Sequence, residues 1–301
     1  MYKFKVIILL ALTFTLSACS EAEQEKYRPQ YSNTPIFDKE KEFIFGVHPL
    51  HNPKRLHEIF NPIIQYLSDN IKGIRFKLEA SRNYAAFDKK LYARKFHFSL
   101  PNPYQTINAI KHGYTVFGKM ADDKNFRGIF LVRKDSAISK VTDLKSKAVS
   151  FPAPTALAAT MLPQHYLQTH GLNVSTDIKI RYVGSQESSI MNVMLGNTVA
   201  GATWPPPWEA LSKEQPKLKE ELKVIWKTKS LPNNSLIARD DVSKDIVKQV
   251  KFLLLNLHKN KNGRIWLNKM ELSQFELATN KTYKPVIEFI NIFHNSVRPI
   301  K

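Results

Sequence analysis

Strand-like and helix-like stretches alternate along this chain from Glu42 onward, and this alternation limits the fold more than any other feature. The first strand pattern is EFIFGV (residues 42–47), which is short, apolar and aromatic. In residues 54–71 the apolar side chains recur every three or four positions, as they do on one face of a helix. Further strand patterns, with helical patterns between them, are IRFKLEA, KFHFSLP, KAVSF, IKIRYVG and TVAGATW. We therefore expect an α/β fold in which helices pack on both faces of mostly parallel sheets.

Two strand-like stretches are long enough to run between two lobes. They are FRGIFLVRKDS (residues 126–136) and SLPNNSLIAR (residues 230–239). Between them the alternation of strand and helix restarts, which indicates a second sheet with its own helices. We expect residues 42–130 and 232–301 to form lobe I and residues 131–231 to form lobe II, with the two stretches as connecting strands.

The N-terminus has the pattern of an export signal. Two lysines precede the apolar stretch VIILLALTFTL, which has the length of a signal-peptide core and is too short to span a bilayer. This stretch runs into LSAC, which resembles the lipobox of bacterial lipoproteins, where cleavage precedes an acylated cysteine. Cys19 is the only cysteine in the sequence. We expect a signal peptide over residues 1–18, lipidation at Cys19 and a polar tether over residues 19–41; the alternative is an ordinary secretory signal with a chance cysteine.

Charge and cysteine usage narrow the classes of function. The formal net charge is +19. For an exported lipoprotein this excess favours anionic headgroups, an acidic protein surface or an anionic ligand as partner, and no nucleic acid; a generally basic proteome would give the same charge. With Cys19 acylated, the chain has no thiol for a disulfide, a cysteine nucleophile or a thiolate metal site. No catalytic triad, carboxylate pair or glycine-rich nucleotide loop emerges, so we expect no enzyme and no cofactor.

Six motifs occur in the order that is typical of one family. They are FGVHPLHNPKRLHEIFNPIIQYLSDNI, RNYAAF, LPNPYQTINA, VRKDSAISKVTDLKSKAVSF, YVGSQESSIMNVMLGNTVAGA and LPNNSLIARDDVSKDIVKQVKFLLL. From about Phe43 to Phe293 the chain resembles the solute-binding proteins of phosphate, phosphite and phosphonate ABC transporters, the PhnD-like group of the type 2 periplasmic binding proteins. The resemblance implies two lobes, joined by two crossing strands, that close on a ligand held between them.

The resemblance also implies a function and partners. We expect a membrane-anchored lipoprotein of the cell envelope that faces the periplasm or the outer cell surface, binds a small phosphonate-like or modified ligand as a monomer, and delivers it to an ABC permease. One alternative is a sensing subunit that docks on a histidine kinase or another receptor. Another is an enzyme on the same fold, for which the sequence offers no reactive residue.

Three groups of residues depart from the family pattern. The loop after Pro154 reads Thr155, Ala156, Leu157, Ala158 and Ala159. Phosphonate-binding members carry a Ser-Thr-Ser-Gly-like run over the last four of these positions, so those hydroxyl donors are missing here. Gln186 and Glu187 replace a typical His-Asp pair, and Ala200 replaces an aspartate on the next strand. These changes favour a ligand that is less anionic and more apolar than phosphate or a simple phosphonate.

Side chains at the predicted strand-to-helix turns are candidate ligand contacts, because ligands bind beyond the carboxyl ends of parallel strands. Tyr84 begins a helix, where its hydroxyl faces the ligand or, alternatively, packs at a lobe surface. Asn102 and Tyr104 follow the next strand, beside prolines that fix the turn. Thr155 offers a hydroxyl either to the ligand or, as an N-cap, to the helix that follows.

Gln186 and Glu187 begin a further predicted helix and are candidate ligand contacts as well. Helix capping alone explains Glu187, because a carboxylate interacts well with the helix dipole. If Glu187 instead faces the cleft, it repels anions and favours a ligand with an amine or another proton donor.

Aromatic and imidazole side chains supply the remaining candidates. Trp204 and Trp208 bracket three prolines, and their indoles could stack on a ring or a quaternary ammonium at the cleft, or close the core of the lobe. His48, His51 and His57 could hold a metal ion. Their spacing matches no tight template, and we expect no metal.

Overall fold

A computed structural model describes residues 41–300. The strands are β1 (Lys41–Val47), β2 (Ile74–Glu79), β3 (Phe98–Leu100), β4 (Tyr114–Met120), β5 (Arg127–Arg133), β6 (Ala148–Phe151), β7 (Lys179–Tyr182), β8 (Ala200–Thr203), β9 (Leu222–Ser230), β10 (Ser235–Arg239) and β11 (Phe275–Glu276). The helices are α1 (Pro53–Asn70), α2 (Tyr84–Tyr92), α3 (Pro103–Lys111), α4 (Leu162–Thr169), α5 (Gln186–Met194), α6 (Pro205–Glu214), α7 (Lys217–Glu221), α8 (Lys244–Leu255), α9 (Lys261–Lys269) and α10 (Lys284–Ser296). The predicted signal peptide, Cys19 and the predicted tether up to residue 40 lie outside the described residues.

The strands form two sheets. The first sheet has the order β11-β4-β10-β3-β1-β2, and the second has the order β7-β6-β8-β5-β9. We call the first sheet with its helices lobe I and the second with its helices lobe II. The sequence predicted mostly parallel sheets, and parallel pairing joins β1 to β2 and β3, and β6 to β7 and β8. Both sheets are nevertheless mixed, because β10 and β5 pair antiparallel with their neighbours.

The chain passes between the lobes twice, over residues 121–126 and residues 231–234. These two crossings touch each other, since the Leu231 amide donates to the Phe126 carbonyl at 3.1 Å. The stretch from Phe126 to Ser136 was predicted to run between the lobes. Instead β5, which lies within that stretch, pairs with β8 and β9 and belongs wholly to the second sheet, so the crossing precedes it.

Helix α1 illustrates how the sequence builds lobe I. Asn52 caps it by accepting a hydrogen bond from the Arg55 amide at 3.0 Å, and Pro53 occupies its first turn, where no amide proton is needed. The buried face consists of Leu56, Ile59, Phe60, Ile63, Ile64 and Leu67. Burying such side chains stabilises the fold by roughly 1.5–3 kcal/mol each. The spacing that predicted this helix is therefore also what attaches it to the sheet.

Strand-to-helix turns of both lobes converge at the cleft. In lobe I the carboxyl ends of β1, β2 and β3 lead into α1, α2 and α3, and in lobe II those of β6, β7 and β8 lead into α4, α5 and α6. Gly201 in β8 allows α5 to approach closely, because a Cβ atom there would lie 2.6 Å from Val193 Cγ2 and 2.7 Å from the Ser189 carbonyl oxygen. The ends of six strands thus surround one space between the lobes.

Candidate functional site

A small cavity lies between the lobes, where the strand ends meet. Its volume is about 10 Å³, room for about one water molecule. Its lining comprises His48, Tyr84 and Asn102 from lobe I, Ala156, Leu157, Ala158, Ala159, Gln186 and Trp204 from lobe II, and Phe126 and Asn234 from the crossings. Six of the ten predicted ligand residues therefore line the cavity, namely Tyr84, Asn102, Ala156, Leu157, Gln186 and Trp204. The other four, Tyr104, Thr155, Glu187 and Trp208, lie elsewhere and are described below.

The loop after β6 presents backbone donors to this cavity. Thr160 is the first residue whose amide closes a helical turn, onto the Ala156 carbonyl at 2.8 Å, and Met161 donates to the same oxygen at 3.2 Å. The amides of residues 157–159 therefore precede the helical hydrogen-bond ladder, and a helix N-terminus favours an anion. This first turn, Leu157–Met161, is a π-type turn, a feature often found at functional sites. Residues 157–159 keep these backbone donors although the side chains of residues 156–159 carry only methyl and isobutyl groups.

Gln186 links the lobes across the cavity. Its Oε1 accepts a hydrogen bond from Thr203 Oγ1 at 3.0 Å, and its Nε2 lies 3.5 Å from the Tyr84 hydroxyl oxygen. Burial, the largest effect, raises the pKa of the Tyr84 phenol far above its usual value, and the Gln186 amide lowers it only partly. The phenol is therefore neutral at pH 7 and keeps a proton that it can donate.

His48 contributes a hydrogen-bond acceptor. Its Nδ1 lies 2.8 Å from the Leu100 carbonyl oxygen, and because a carbonyl only accepts, Nδ1 carries the proton. Burial lowers the pKa of His48 to about 4, against the raising effect of that hydrogen bond. The ring is neutral at pH 7, so Nε2 carries a free lone pair.

Asn234 holds an unpaired polar atom in the second crossing. Its Oδ1 is buried without a hydrogen-bond partner, and its Nδ2 lies 3.4 Å from Met120 Sδ. Rotation of the amide by half a turn would bring Nδ2 to the place of Oδ1. Asn234 can therefore present either an acceptor or a donor.

Glu187 does not line the cavity. Its Oε1 lies 3.3 Å from His51 Nδ1 and 3.4 Å from the Asn52 amide nitrogen, so its carboxylate is directed at the start of α1 in lobe I. Burial, the largest effect, raises the pKa of Glu187, but the hydrogen bonds and the charge of His51 outweigh it and the net shift is downward. Ala200 is buried in β8 and offers no carboxylate. Within residues 41–300, no acidic side chain lines the cavity.

The other predicted ligand residues take different places. Asn102 lines the cavity, but its Oδ1 accepts from the Gln105 amide as a helix cap and its Nδ2 donates to the Thr155 carbonyl at 3.1 Å. Ala156 and not Thr155 occupies the N-cap position of the turn Leu157–Met161, and Thr155 lines a neighbouring groove. Tyr104 is half-buried on α3 and is not among the cavity residues.

The structure separates the two tryptophans. Trp204 lines the cavity and packs edge-on against Phe126, with ring centroids 5.5 Å apart. Trp208 packs in an apolar cluster with Ile129 and Leu131 instead. Only one of the two indoles is therefore at the site.

Sequence reasoning missed three cavity residues. His48 was considered only as a metal ligand, and Phe126 and Asn234 were not considered at all. The sequence did contain a signal for Phe126 and Asn234, because both lie in the predicted crossings and a crossing has to pass the base of a cleft between two lobes. Within the described part of the chain, no group of three or more histidine, cysteine or acidic residues is placed to hold a metal ion.

No helix over residues 41–300 combines the length and the apolar character needed to cross a membrane.

Comparisons with known proteins agree on one family. The family model described as "ABC transporter, phosphonate, periplasmic substrate-binding protein" matches residues 45–283. The chain is 24% identical to a probable ABC transporter phosphite binding protein, PhnD1, from Prochlorococcus marinus, over 85% of this chain and 91% of that protein. It is 19% identical to the phosphonates-binding periplasmic protein of Escherichia coli, over 83% of this chain and 76% of that protein.

Solved structures show the same fold. A binding protein component of an ABC phosphonate transporter from Pseudomonas aeruginosa matches with a TM-score of 0.78 and 18% identity, over 85% of this chain and 88% of that one. PhnD1 from Prochlorococcus marinus in complex with methylphosphonate matches with a TM-score of 0.77 and 23% identity, over 85% and 99%. The two-lobed fold that the sequence predicted is thereby confirmed.

Proposed function

Because the chain belongs to the family of periplasmic substrate-binding proteins of ABC phosphonate transporters, we propose that its interlobe cavity captures a small tetrahedral oxyanion of the phosphonate or phosphite type. The chain is a solute-binding protein of an ABC importer and acts in the periplasm. The family is a binding component of a transporter and not a group of enzymes. Nothing favours the sensing subunit over this role.

One observation carries the proposal: the amides of residues 157–159 begin a helix at a cavity that no described acidic side chain lines. The dipoles of these amides and the Tyr84 hydroxyl can stabilise the negative charge of a ligand without a counter-ion. The missing hydroxyls of the loop then weaken recognition of phosphate oxygens, and the methyl groups of Ala156 and Ala158 suit a ligand in which one oxygen is replaced by hydrogen or carbon.

His48 defines the protonation state that the ligand takes. Since its Nε2 offers a lone pair at pH 7, a ligand with a P–OH group satisfies it and a fully deprotonated oxyanion does not. A phosphonate or phosphite monoanion has such a group. A sulfonate has none, so we expect this site to reject sulfonates.

Binding requires the lobes to separate. A cavity of about 10 Å³ is several times too small for a tetrahedral oxyanion. The contacts across the cleft join Asn102 to Thr155, Tyr84 to Gln186 and His51 to Glu187. Ligand would enter when these contacts open and be trapped when the lobes close.

The attachment of the protein to the membrane is a second part of the proposal. Acylation of Cys19, at the end of a lipobox-like sequence, would hold the protein at the membrane as a monomer, with residues 19–41 as the tether between the lipid and the fold. Cys19→Ser should move the protein from the membrane fraction to the soluble fraction. Ser20→Ala is the matched control and should stay with the membrane.

Calorimetry on the purified protein tests the binding proposal. We expect phosphite or methylphosphonate to bind, phosphate to bind more weakly, and methanesulfonate to produce no heat. If neither phosphite nor methylphosphonate binds, or if methanesulfonate binds as tightly as they do, the assigned ligand class is wrong.

A further inference from the structure

Helices α8 and α9 of lobe I concentrate positive charge. Residues 244–269, which comprise both helices and the turn between them, contain six lysines and one arginine but a single acidic residue, Asp245. The cations are Lys244, Lys248, Lys251, Lys259, Lys261, Arg264 and Lys269. Seven cations and one acid give this segment a formal charge of +6, about a third of the +19 of the whole chain.

Carboxylates of the described chain neutralise little of this charge. Within residues 41–300 only one of the seven cations approaches a carboxylate within 4.0 Å: Lys248 Nζ lies 3.4 Å from Asp245 Oδ1. Both of these side chains are exposed, and such a pair contributes little. Arg264 donates to the carbonyls of His258 and Lys259 at 3.2 Å, which leaves its positive charge uncompensated. The segment therefore presents a net positive surface.

Each of the two helices also exposes a large apolar side chain among these cations. Phe252 of α8 is 67% exposed, and Ile265 of α9 is 47% exposed. Residues four apart lie on the same face of a helix. Lys248 is therefore the neighbour of Phe252, while Lys261 and Lys269 flank Ile265 on its two sides.

The two helices are held together on lobe I. The turn Leu257–Lys259 follows α8, and α9 begins directly against it, because a Cβ atom at Gly263 would collide with the Leu257 carbonyl oxygen. Trp266 of α9 packs on Tyr66 of α1, with ring centroids 5.7 Å apart. We call the exposed side of α8 and α9 the basic face; it comprises Lys244, Lys248, Phe252, Lys259, Lys261, Ile265 and Lys269.

The composition of the basic face matches an anionic bilayer. Lysines gain from the negative surface potential of such a bilayer, and apolar side chains gain at the boundary between its headgroups and acyl chains. A dissolved anion would match the lysines but would leave Phe252 and Ile265 without an apolar partner. A bilayer with anionic headgroups offers a partner to both kinds of side chain.

We propose that the basic face docks on an anionic phospholipid bilayer, with its lysines at the headgroups and with Phe252 and Ile265 at the boundary with the acyl chains. The contact involves lobe I alone, so lobe II stays free to move while lobe I is held. This inference goes beyond the proposed function, because it depends neither on the ligand of the cavity nor on acylation of Cys19.

Sedimentation with vesicles tests the proposal. The chain from residue 19 onward with Cys19→Ser carries no acyl group, so its binding measures the protein surface alone. We expect binding to phosphatidylcholine vesicles with about 30% phosphatidylglycerol to be at least roughly tenfold tighter than binding to pure phosphatidylcholine. Salt at about 0.5 M should abolish the difference by screening. Equal binding to both vesicles overturns the proposal, and so does binding to neither, which would assign the face to an acidic protein surface instead.

Two pairs of lysines locate the contact. Lys248→Gln with Lys261→Gln removes two charges from the basic face and should weaken binding to the anionic vesicles roughly 10–30-fold. Lys227→Gln with Lys229→Gln is the matched control, because it removes the same charge from exposed positions of β9 in lobe II. It should weaken binding by less than about threefold. Equal losses would mean that the net charge of the chain drives binding, and the assignment to this face would be wrong.

Two exposed apolar residues test insertion into the bilayer. Phe252 and Leu195 are both 67% exposed, and Leu195 directly follows α5 in lobe II. Phe252→Ser should weaken binding to the anionic vesicles roughly fivefold, because it removes an apolar side chain from the boundary. Leu195→Ser should leave binding unchanged. Unchanged binding of Phe252→Ser would show that no side chain inserts there and would overturn the docking geometry.

Two further measurements keep these outcomes interpretable. The thermal midpoint of each variant should match that of the unaltered protein, since all of the substituted side chains are exposed. Methylphosphonate should bind the Lys248→Gln, Lys261→Gln variant as it binds the unaltered protein. Loss of vesicle binding with ligand binding intact therefore concerns the basic face alone, and absence of ligand binding in the unaltered protein concerns the proposed function alone.

Discussion

Arg55 of lobe I and Glu214 of lobe II form an ion pair across the rim of the cleft, with 2.7 Å between Arg55 Nη1 and Glu214 Oε2. A second pair, between Lys213 of lobe II and Glu271 after α9, joins the same two surfaces at 2.7 Å. Both pairs exist only while the lobes are together. They therefore stabilise the closed form relative to any form in which the lobes have separated.

Reversing the charge of Arg55 alone should lower ligand affinity, because breaking the Arg55–Glu214 pair lowers the population of the closed form. Because the Glu214 side chain is 58% exposed, the effect is modest: Arg55→Glu alone should weaken binding about 2–5-fold, the range expected for 0.5–1 kcal/mol. Adding Glu214→Arg should restore most of the loss. Calorimetry at low and high salt checks this, since salt should shrink the difference.

A control variant for this pair lies within one lobe. Arg75→Glu breaks the pair of Arg75 with Glu42, which joins β2 to β1 inside lobe I. It should leave affinity unchanged. Equal losses from Arg55→Glu and Arg75→Glu would show that the cleft pair has no special role in closure.

Replacing Ala158 with proline should weaken oxyanion binding without unfolding the helix. Proline lacks the amide proton and is tolerated in the first turn of a helix. Loss of one hydrogen bond to a charged ligand should cost about 1.5–3 kcal/mol, or roughly 10–150-fold in affinity. The thermal midpoint and the dissociation constant are measured together.

Asp245→Pro is the matched control for this substitution. Asp245 is exposed in the first turn of α8, on lobe I. Its replacement should leave affinity intact. Normal affinity in Ala158→Pro would mean that this amide does not contact the ligand.

His48 should make the protein less stable as the pH falls. Burial lowers its pKa from 6.5 to about 4, so between these values the unfolded chain binds a proton that the folded chain does not. Stability therefore falls as the pH drops through this window and is constant above it. At about 1.4 kcal/mol per pKa unit, the loss is on the order of 3 kcal/mol. Urea unfolding of the unaltered protein and of His48→Asn at pH 4.5 and 7.5 measures this loss. If the free energy of unfolding changes equally with pH in both proteins, the loss does not come from His48.

Asp88 should have the opposite effect. Its carboxyl has a pKa raised from 3.8 to about 6 by burial, so the folded chain holds a proton that the unfolded chain releases, and stability falls as the pH rises through this window. The groups that face it, Gln105 and the phenols of Tyr84, Tyr92 and Tyr104, stay neutral there. Asp88→Asn should therefore stabilise the protein at pH 7.5 by on the order of 1 kcal/mol, since Asp88 is only partly buried, and by much less at pH 4.5.

Local periodicity predicted most of the fold. Apolar spacing identified α1, and alternation of strands and helices identified both sheets, because each pattern depends only on neighbours in the chain. The same logic led to Tyr84, Asn102, Gln186 and Trp204, which begin helices or cap them at strand ends and which line the cavity.

Contacts between distant segments could not be predicted in this way. The partner of Glu187 is His51, 136 residues away on the other lobe, and no local pattern encodes that pairing. Trp208 lies one helical turn past Trp204 and faces the core of lobe II instead of the cavity. The sequence shows that residues 156–159 carry no hydroxyl donors, but the position of their backbone amides at the start of a helix beside the cavity depends on the fold.

Phe126 and Asn234 line the cavity, and they also belong to the two crossings, which must bend if the lobes move apart. Under the proposed function, a ligand in the cavity would therefore contact the hinge directly. A ligand too large for the cavity would hold the two crossings apart and keep the lobes from closing.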